Sequence, residues 1–170
     1  ERSLIVMRMN PRQIAPATGN LGVLPPGMGA VASTFIAGVI SARKGLHPPI
    51  GSISQMAHIR LGTKDENRNP MIREFVPLAE LDDIVFGGWD PISPNALEAA
   101  RTAGVLNNED LAAISSELEA IVPMEAVFDQ RWVSRLEGVR VKNIAGKWDQ
   151  AMAIMDDIAN FKAANGCDRL

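Results

Sequence analysis

LGVLPPGMGAVASTFIAGVISAR, residues 21–43, joins an apolar run of strand length to a glycine turn and then to a segment of helix length. Leu21-Gly22-Val23-Leu24 has the shortness and apolarity of a buried strand. Pro25-Pro26 close it, because neither proline can donate to a sheet ladder. Gly27-Met28-Gly29 makes the turn, and Ala30 to Arg43 follows with small residues early and Phe35, Ile36, Val39 and Ile40 later. Gly45 is placed to stop that helix. In this strand–turn–helix context, Gly27-Met28-Gly29-Ala30-Val31-Ala32 reads as a G-x-G-x-x-A dinucleotide fingerprint.

Each position of that fingerprint has a physical task. Gly27 permits the tight turn, Gly29 lets a pyrophosphate approach main chain without meeting a Cβ, and Ala32 lets the helix pack close to the strand. The opening turn of the helix then presents unsatisfied N–H groups and a partial positive charge to the phosphates. The competing reading is a glycine-rich turn needed only for close packing. Two features depart from the usual pattern. An acid that bonds the ribose is expected about 20 residues further on, yet Ile50 to Gln55 (IGSISQ) holds none. Prolines are also unusual at the end of a central strand. Asp90 offers a substitute, since it follows Ile84-Val85-Phe86 and a Gly87-Gly88 turn, at the strand edge where open parallel sheets bind ligands. Against that stands an Asx turn or helix cap before Pro91.

Working outward, strands and helices alternate. Residues 1–19, with Pro11, Pro16 and Gly19, read as an extended lead-in, and residues 20–170 as one domain. After Pro48-Pro49, the stretches 50–53 and 57–61 are expected to form a second strand or a broken pair. Gly62 to Pro70 (GTKDENRNP) reads as a charged loop, and 81–86 as a strand. Ser93-Pro94 sets up a helix by the N-cap and first-turn preferences, ending near Gly104. Asn107 or Asn108 caps another, with Leu111, Ile114, Leu118 and Ile121 at helical spacing. Val127-Phe128 is expected as a short strand. Trp148, Ala151, Met155, Ile158 and Phe161 mark a last helix, closed around Asn165-Gly166. The alternation predicts an α/β class, with a mostly parallel Rossmann-like sheet and flanking helices. Only Cys167, Asp168, Arg169 and Leu170 remain for a following strand, so an incomplete domain, truncated at Leu170, is expected.

Composition narrows the partners. The chain has 170 residues, 46% of them hydrophobic and 22% charged, which suits a single globular domain. A net charge of −3 with no basic patch argues against nucleic acid. No apolar run is long enough to span a membrane, and the first residues do not form a signal peptide. One cysteine, Cys167, excludes an internal disulfide framework and fits a reducing, cytoplasmic setting. His47 and His58 lack partners at ligand spacing, so no metal site is expected.

The residues also resemble the inositol-phosphate synthase family. The likeness is carried by 21–38 (LGVLPPGMGAVASTFIAG), 49–62 (PIGSISQMAHIRLG), 66–70 (ENRNP), 75–78 (FVPL), 85–90 (VFGGWD) and 123–130 (PMEAVFDQ). Pro25 departs from the hydrophobic residue the family places there. The resemblance implies an NAD enzyme that turns glucose 6-phosphate into an inositol monophosphate by internal oxidation, aldol cyclisation and reduction. It implies that Gly27, Met28, Gly29 and Ala30 hold the pyrophosphate, that Asp90 binds the adenosine ribose, and that Gln130 lines the nucleotide cleft. A polar residue at a helix start is the plain alternative for Gln130. The family's catalytic lysines belong to a later domain, expected to be absent here. Lys44, Lys64, Lys142, Lys147 and Lys162 lie in no catalytic motif, so no catalytic residue is assigned. The resemblance further implies a homo-oligomer, commonly a tetramer. Two other readings keep the fold: an NAD-dependent dehydrogenase with net hydride transfer, and a degenerate, non-enzymatic Rossmann domain.

Overall fold

The computed structural model describes Ala15 and residues 18–170, so most of the expected lead-in lies outside the described residues. The chain runs through β1 (Asn20–Val23), α1 (Ala30–Arg43), α2 (Ile53–Met56), α3 (Ile72–Phe75) and β2 (Ile84–Phe86). It continues through α4 (Ala96–Ala103), α5 (Asn108–Ala113), α6 (Ser115–Ala120), α7 (Lys147–Ala164) and β3 (Cys167–Arg169). The sheet is parallel with order β2-β1-β3, pairing Gly22 with Val85 and Asn20 with Cys167. This is the α/β class expected. The chain moves from β1 to one neighbour and then returns to the other side of β1, which makes the end of β1 a topological switch point.

Alternation along the strands sorts the two faces. Val23, Ile84 and Phe86 face a core built from Ile36, Ala37 and Ile40 of α1, from α4, and from Leu111, Ile114 and Leu118. Phe35 meets the Phe86 ring edge-on at 5.8 Å. On the opposite face Phe161 of α7 lies directly over two glycines. A Cβ on Gly22 would stand 3.0 Å from its ring, and one on Gly87 only 2.4 Å. Those glycines let α7 settle against the sheet.

Four expectations need correction. The chain after the last helix does meet a strand position, because Cys167–Arg169 pair with β1 as β3. Gly166, at φ +59, turns the chain there, and buried Cys167 fits beside Gly22, which has no side chain to obstruct it. Residues 50–53 form no strand. Ile50 N–H donates to Pro48 O and Ser52 N–H to Pro49 O, a tight turn that leads into α2. Residues 57–61 instead make a small antiparallel hairpin with 68–71, through His58–Met71 and Leu61–Arg68. The strand expected at Val127-Phe128 falls earlier, where Met124 N–H donates to Gly88 O and Met124 O accepts Asp90 N–H.

The helices from α4 to α6 also shift in detail. Asn95 rather than Ser93 caps α4, its side chain accepting Glu98 N–H at 2.9 Å. The helix expected after Asn107 breaks at Ile114, whose φ of −128° and ψ of 15° leave helical geometry. That turn buries the β-branched side chain, and Ser115 follows with its hydroxyl on Ala112 O. Serines that bond nearby carbonyls weaken a helix interior.

Candidate dinucleotide-binding site

The loop after β1 is built by carbonyls. Pro25 cannot donate, yet its oxygen accepts Gly27 N–H at 3.0 Å and Trp89 N–H at 3.1 Å. The proline pair therefore prolongs β1 on its acceptor side. A Cβ on Gly88 would sit 2.4 Å from that same oxygen, so glycine is required there. Gly27 takes φ +122, a conformation that L side chains rarely adopt. Met28 then turns inward and is 1% exposed within the core.

Gly29 is the N-cap of α1, in extended conformation, and no side chain caps the helix. The first turn carries no acid. The N–H groups of Ala30, Val31 and Ala32 thus lack intrahelical partners and carry the positive end of the helix dipole. Beside them lies a hollow of about 520 Å³ walled by Pro25, Pro26, Gly27, Gly29, Val31 and Phe35. A Cβ on Gly27 or Gly29 would meet no atom within 4 Å, so main chain is open to a ligand at both positions. This arrangement fits a pyrophosphate, with apolar walls on one side and uncapped N–H donors on the other.

A larger cavity of about 720 Å³ lies elsewhere, between the later part of α1 and the turn at 47–55. Leu21 and Ile84, at the starting ends of their strands, help line it. Ligands of such sheets bind beyond the carboxyl ends, and that geometry favours the smaller hollow.

The structure brings Gly27, Met28, Gly29, Ala30 and Asp90 together. Asp90 is 7% exposed, and its Oδ2 accepts Met28 N–H at 2.8 Å. Oδ1 accepts the N–H groups of Ile92, at 2.8 Å, and Ser93. Gln130 is not brought to the loop. It is exposed and its amide donates to Ser134 O and Leu136 O within its own turn. Three of the five lysines are engaged elsewhere: Lys44 pairs with Glu117, Lys142 with Asp157, and Lys147 stands 5.3 Å above the Trp132 ring.

One arrangement escaped sequence reasoning. The Trp89 indole donates to Asp157 Oδ2 at 2.8 Å, while Lys142 holds Oδ1 at 2.5 Å. This ties α7 to the residue next to Asp90. The only signal in the sequence was that a buried indole N–H needs an acceptor, which does not say which one.

The model of an NAD-binding domain described as myo-inositol-1-phosphate synthase matches residues 21–170. Inositol-3-phosphate synthase 1 of Bacteroides thetaiotaomicron is 49% identical over 160 residues, covering 94% of this chain and 37% of that protein. The inositol-3-phosphate synthase of Citrus paradisi is 30% identical over 164 residues, covering 88% and 32%. The crystal structure of inositol-3-phosphate synthase from Caenorhabditis elegans has the same fold, with a TM-score of 0.69 at 23% identity, over 86% of this chain and 32% of that one. The chain spans about a third of the length of these relatives.

Proposed function

The chain belongs to the myo-inositol-1-phosphate synthase family, and from that membership we propose that it is the NAD-binding part of an enzyme converting glucose 6-phosphate to an inositol monophosphate. The observation that carries the reading is the uncapped start of α1 behind the Gly27 and Gly29 turn, at the switch point of a parallel sheet. NAD, when bound, supplies a hydride acceptor that is restored within one turnover. This chain's share is to seat the pyrophosphate on the N–H groups of α1 and to keep water from its apolar side with Pro25, Val31 and Phe35.

Enolisation and ring closure need cationic groups beside the sugar oxygens. Lys44 and Lys142 are neutralised by carboxylates and lie outside the hollow, so no catalytic residue is assigned within these residues. Those steps belong to the length of the relatives that this chain does not cover. The same reading includes assembly as a homo-oligomer, a tetramer by family likeness, and residence in the cytoplasm. The lone, buried Cys167 fits a reducing compartment, and the assembly rests on family likeness alone. The same reading gives the chain no nucleic-acid partner.

Titration with NAD and NADP, following Trp89 fluorescence in a Trp132→Phe, Trp148→Phe background, tests the reading. Trp89 is buried and bonded to Pro25 O, so it feels the loop. Saturable quenching by NAD, with NADP weaker, is expected. Silence with both would overturn it. Inositol phosphate made by these 170 residues alone would overturn the assignment of chemistry to the remainder.

A further inference from the structure

We propose that Asp157 is a positioning residue for nucleotide binding: from α7, through the Trp89 indole, it fixes the turn against which the cofactor loop is built. The inference rests on the NAD reading above and deepens it. Three observations carry it. The buried Trp89 is held at both ends, its main-chain N–H on Pro25 O at 3.1 Å and its indole N–H on Asp157 Oδ2 at 2.8 Å. The Asp157 carboxylate has a second partner, since the Lys142 ammonium group stands 2.5 Å from Oδ1, and both side chains of that pair are largely shielded from water. Trp89 also directly precedes Asp90, which accepts Met28 N–H from the loop. One side chain of α7 is thereby linked to the segments leaving both β1 and β2.

The packing of α7 makes this link possible. Phe161 lies over Gly87, and Asp157 stands one helical turn before it on the same face. The helix leads into a parallel strand and so runs against β2, which makes a step back along α7 a step forward along the chain leaving β2. An apolar contact would hold the helix as firmly, and a shielded ion pair is weak evidence for stability. A carboxylate with two directional partners fixes an orientation instead. With the indole held, Trp89 N–H stays aligned on Pro25 O, the same oxygen that accepts Gly27 N–H. The turn at Gly27 is thus set before any nucleotide arrives, which removes ordering cost from binding.

Asp157→Leu, which keeps the size of the side chain and removes the acceptor, is the test, read by calorimetric titration with NAD. Affinity is expected to fall about tenfold. Trp89→Phe keeps a ring and removes the indole N–H, and a similar loss is expected. The double variant should bind no more weakly than either single one, because both substitutions break the same link. Losses that multiply mean that the two residues act separately and overturn the proposal, as does full affinity in Asp157→Leu. Asn95→Ala, which uncaps α4 outside the hollow, should lower stability without moving NAD affinity. An equal NAD loss in that variant would reduce Asp157 to general stability and also overturn it. If Asp157→Leu does not fold, hydrogen exchange of the Trp89 indole in the Trp132→Phe, Trp148→Phe chain decides. Slower exchange when NAD is added supports the link, since the bond and the nucleotide must favour each other reciprocally. Exchange unmoved by bound NAD overturns it. If the unaltered chain binds neither nucleotide, the NAD reading itself fails, and this role of Asp157 with it.

Discussion

At the scale of single residues, the two loop glycines differ in what an alanine would do. Gly27 sits at φ +122, so Gly27→Ala should cost on the order of 1–3 kcal/mol of stability as well as nucleotide affinity. Gly29 has φ −68 and open space around its missing Cβ. Gly29→Ala should therefore leave stability within about 0.5 kcal/mol, while NAD affinity drops about tenfold or more because the new methyl group meets the pyrophosphate. Calorimetry and thermal melts of the two variants check the contrast, and equal behaviour of both would refute it. The glycine spacing was legible because it is local: six consecutive residues state the turn, the approach and the packing. The hydrogen bond from Met28 to Asp90 spans 62 residues, and nothing in either segment names the other. Gln130 stood close to a family motif in sequence, yet its amide is satisfied by carbonyls four and six residues away.

At the scale of elements, α7 depends on the absence of side chains beneath it. Gly87→Ala would put a Cβ 2.4 Å from the Phe161 ring and 2.9 Å from Leu24, neither free to retreat far. A loss of about 1–3 kcal/mol is expected, and Phe161→Leu should restore part of it. Denaturant titration of the two single variants and the double one measures the coupling. Asn95→Ala should cost about 1 kcal/mol through loss of the α4 cap. β1, α1 and α7 were readable from local signals: a short apolar run into a glycine turn for β1, and glycines just past the ends of α1 and α7. The remaining differences have local causes. Asn95 rather than Ser93 stands three residues before Glu98, whose N–H it accepts, while Ser93 N–H is bonded to Asp90, and the helix break falls at the buried Ile114. β3 was missed because three residues carry no periodicity. Its place is set by Gly22, far away in the sequence.

At the scale of the whole molecule, charge and exposed apolar surface set the solution behaviour. Glu117, bonded to Lys44 across α6 and the end of α1, is held at about 2, and Asp129, bonded to Arg131, also at about 2. Both bind protons less readily when folded than when unfolded. Their contribution is complete above the ordinary carboxylate range and drains away as pH falls through that range to about 2. Urea midpoints should decline across that window, and Glu117→Gln should flatten the decline. A midpoint that rises on acidification would contradict the assignment. Val31, Ile50, Trp132, Val139 and Trp148 leave at least three quarters of their area open to solvent. Self-association that grows with concentration is expected, as measured by light scattering. The sheet has one more consequence, which concerns biosynthesis. β1 is made before both of its partners, and Asn20 finds Asn165 only after 145 further residues have been made. Closing so long a loop is slow. Until those residues are made, the strand that carries the cofactor loop has one flank bare, and a nascent chain that has not yet reached β3 holds that loop on a two-stranded sheet.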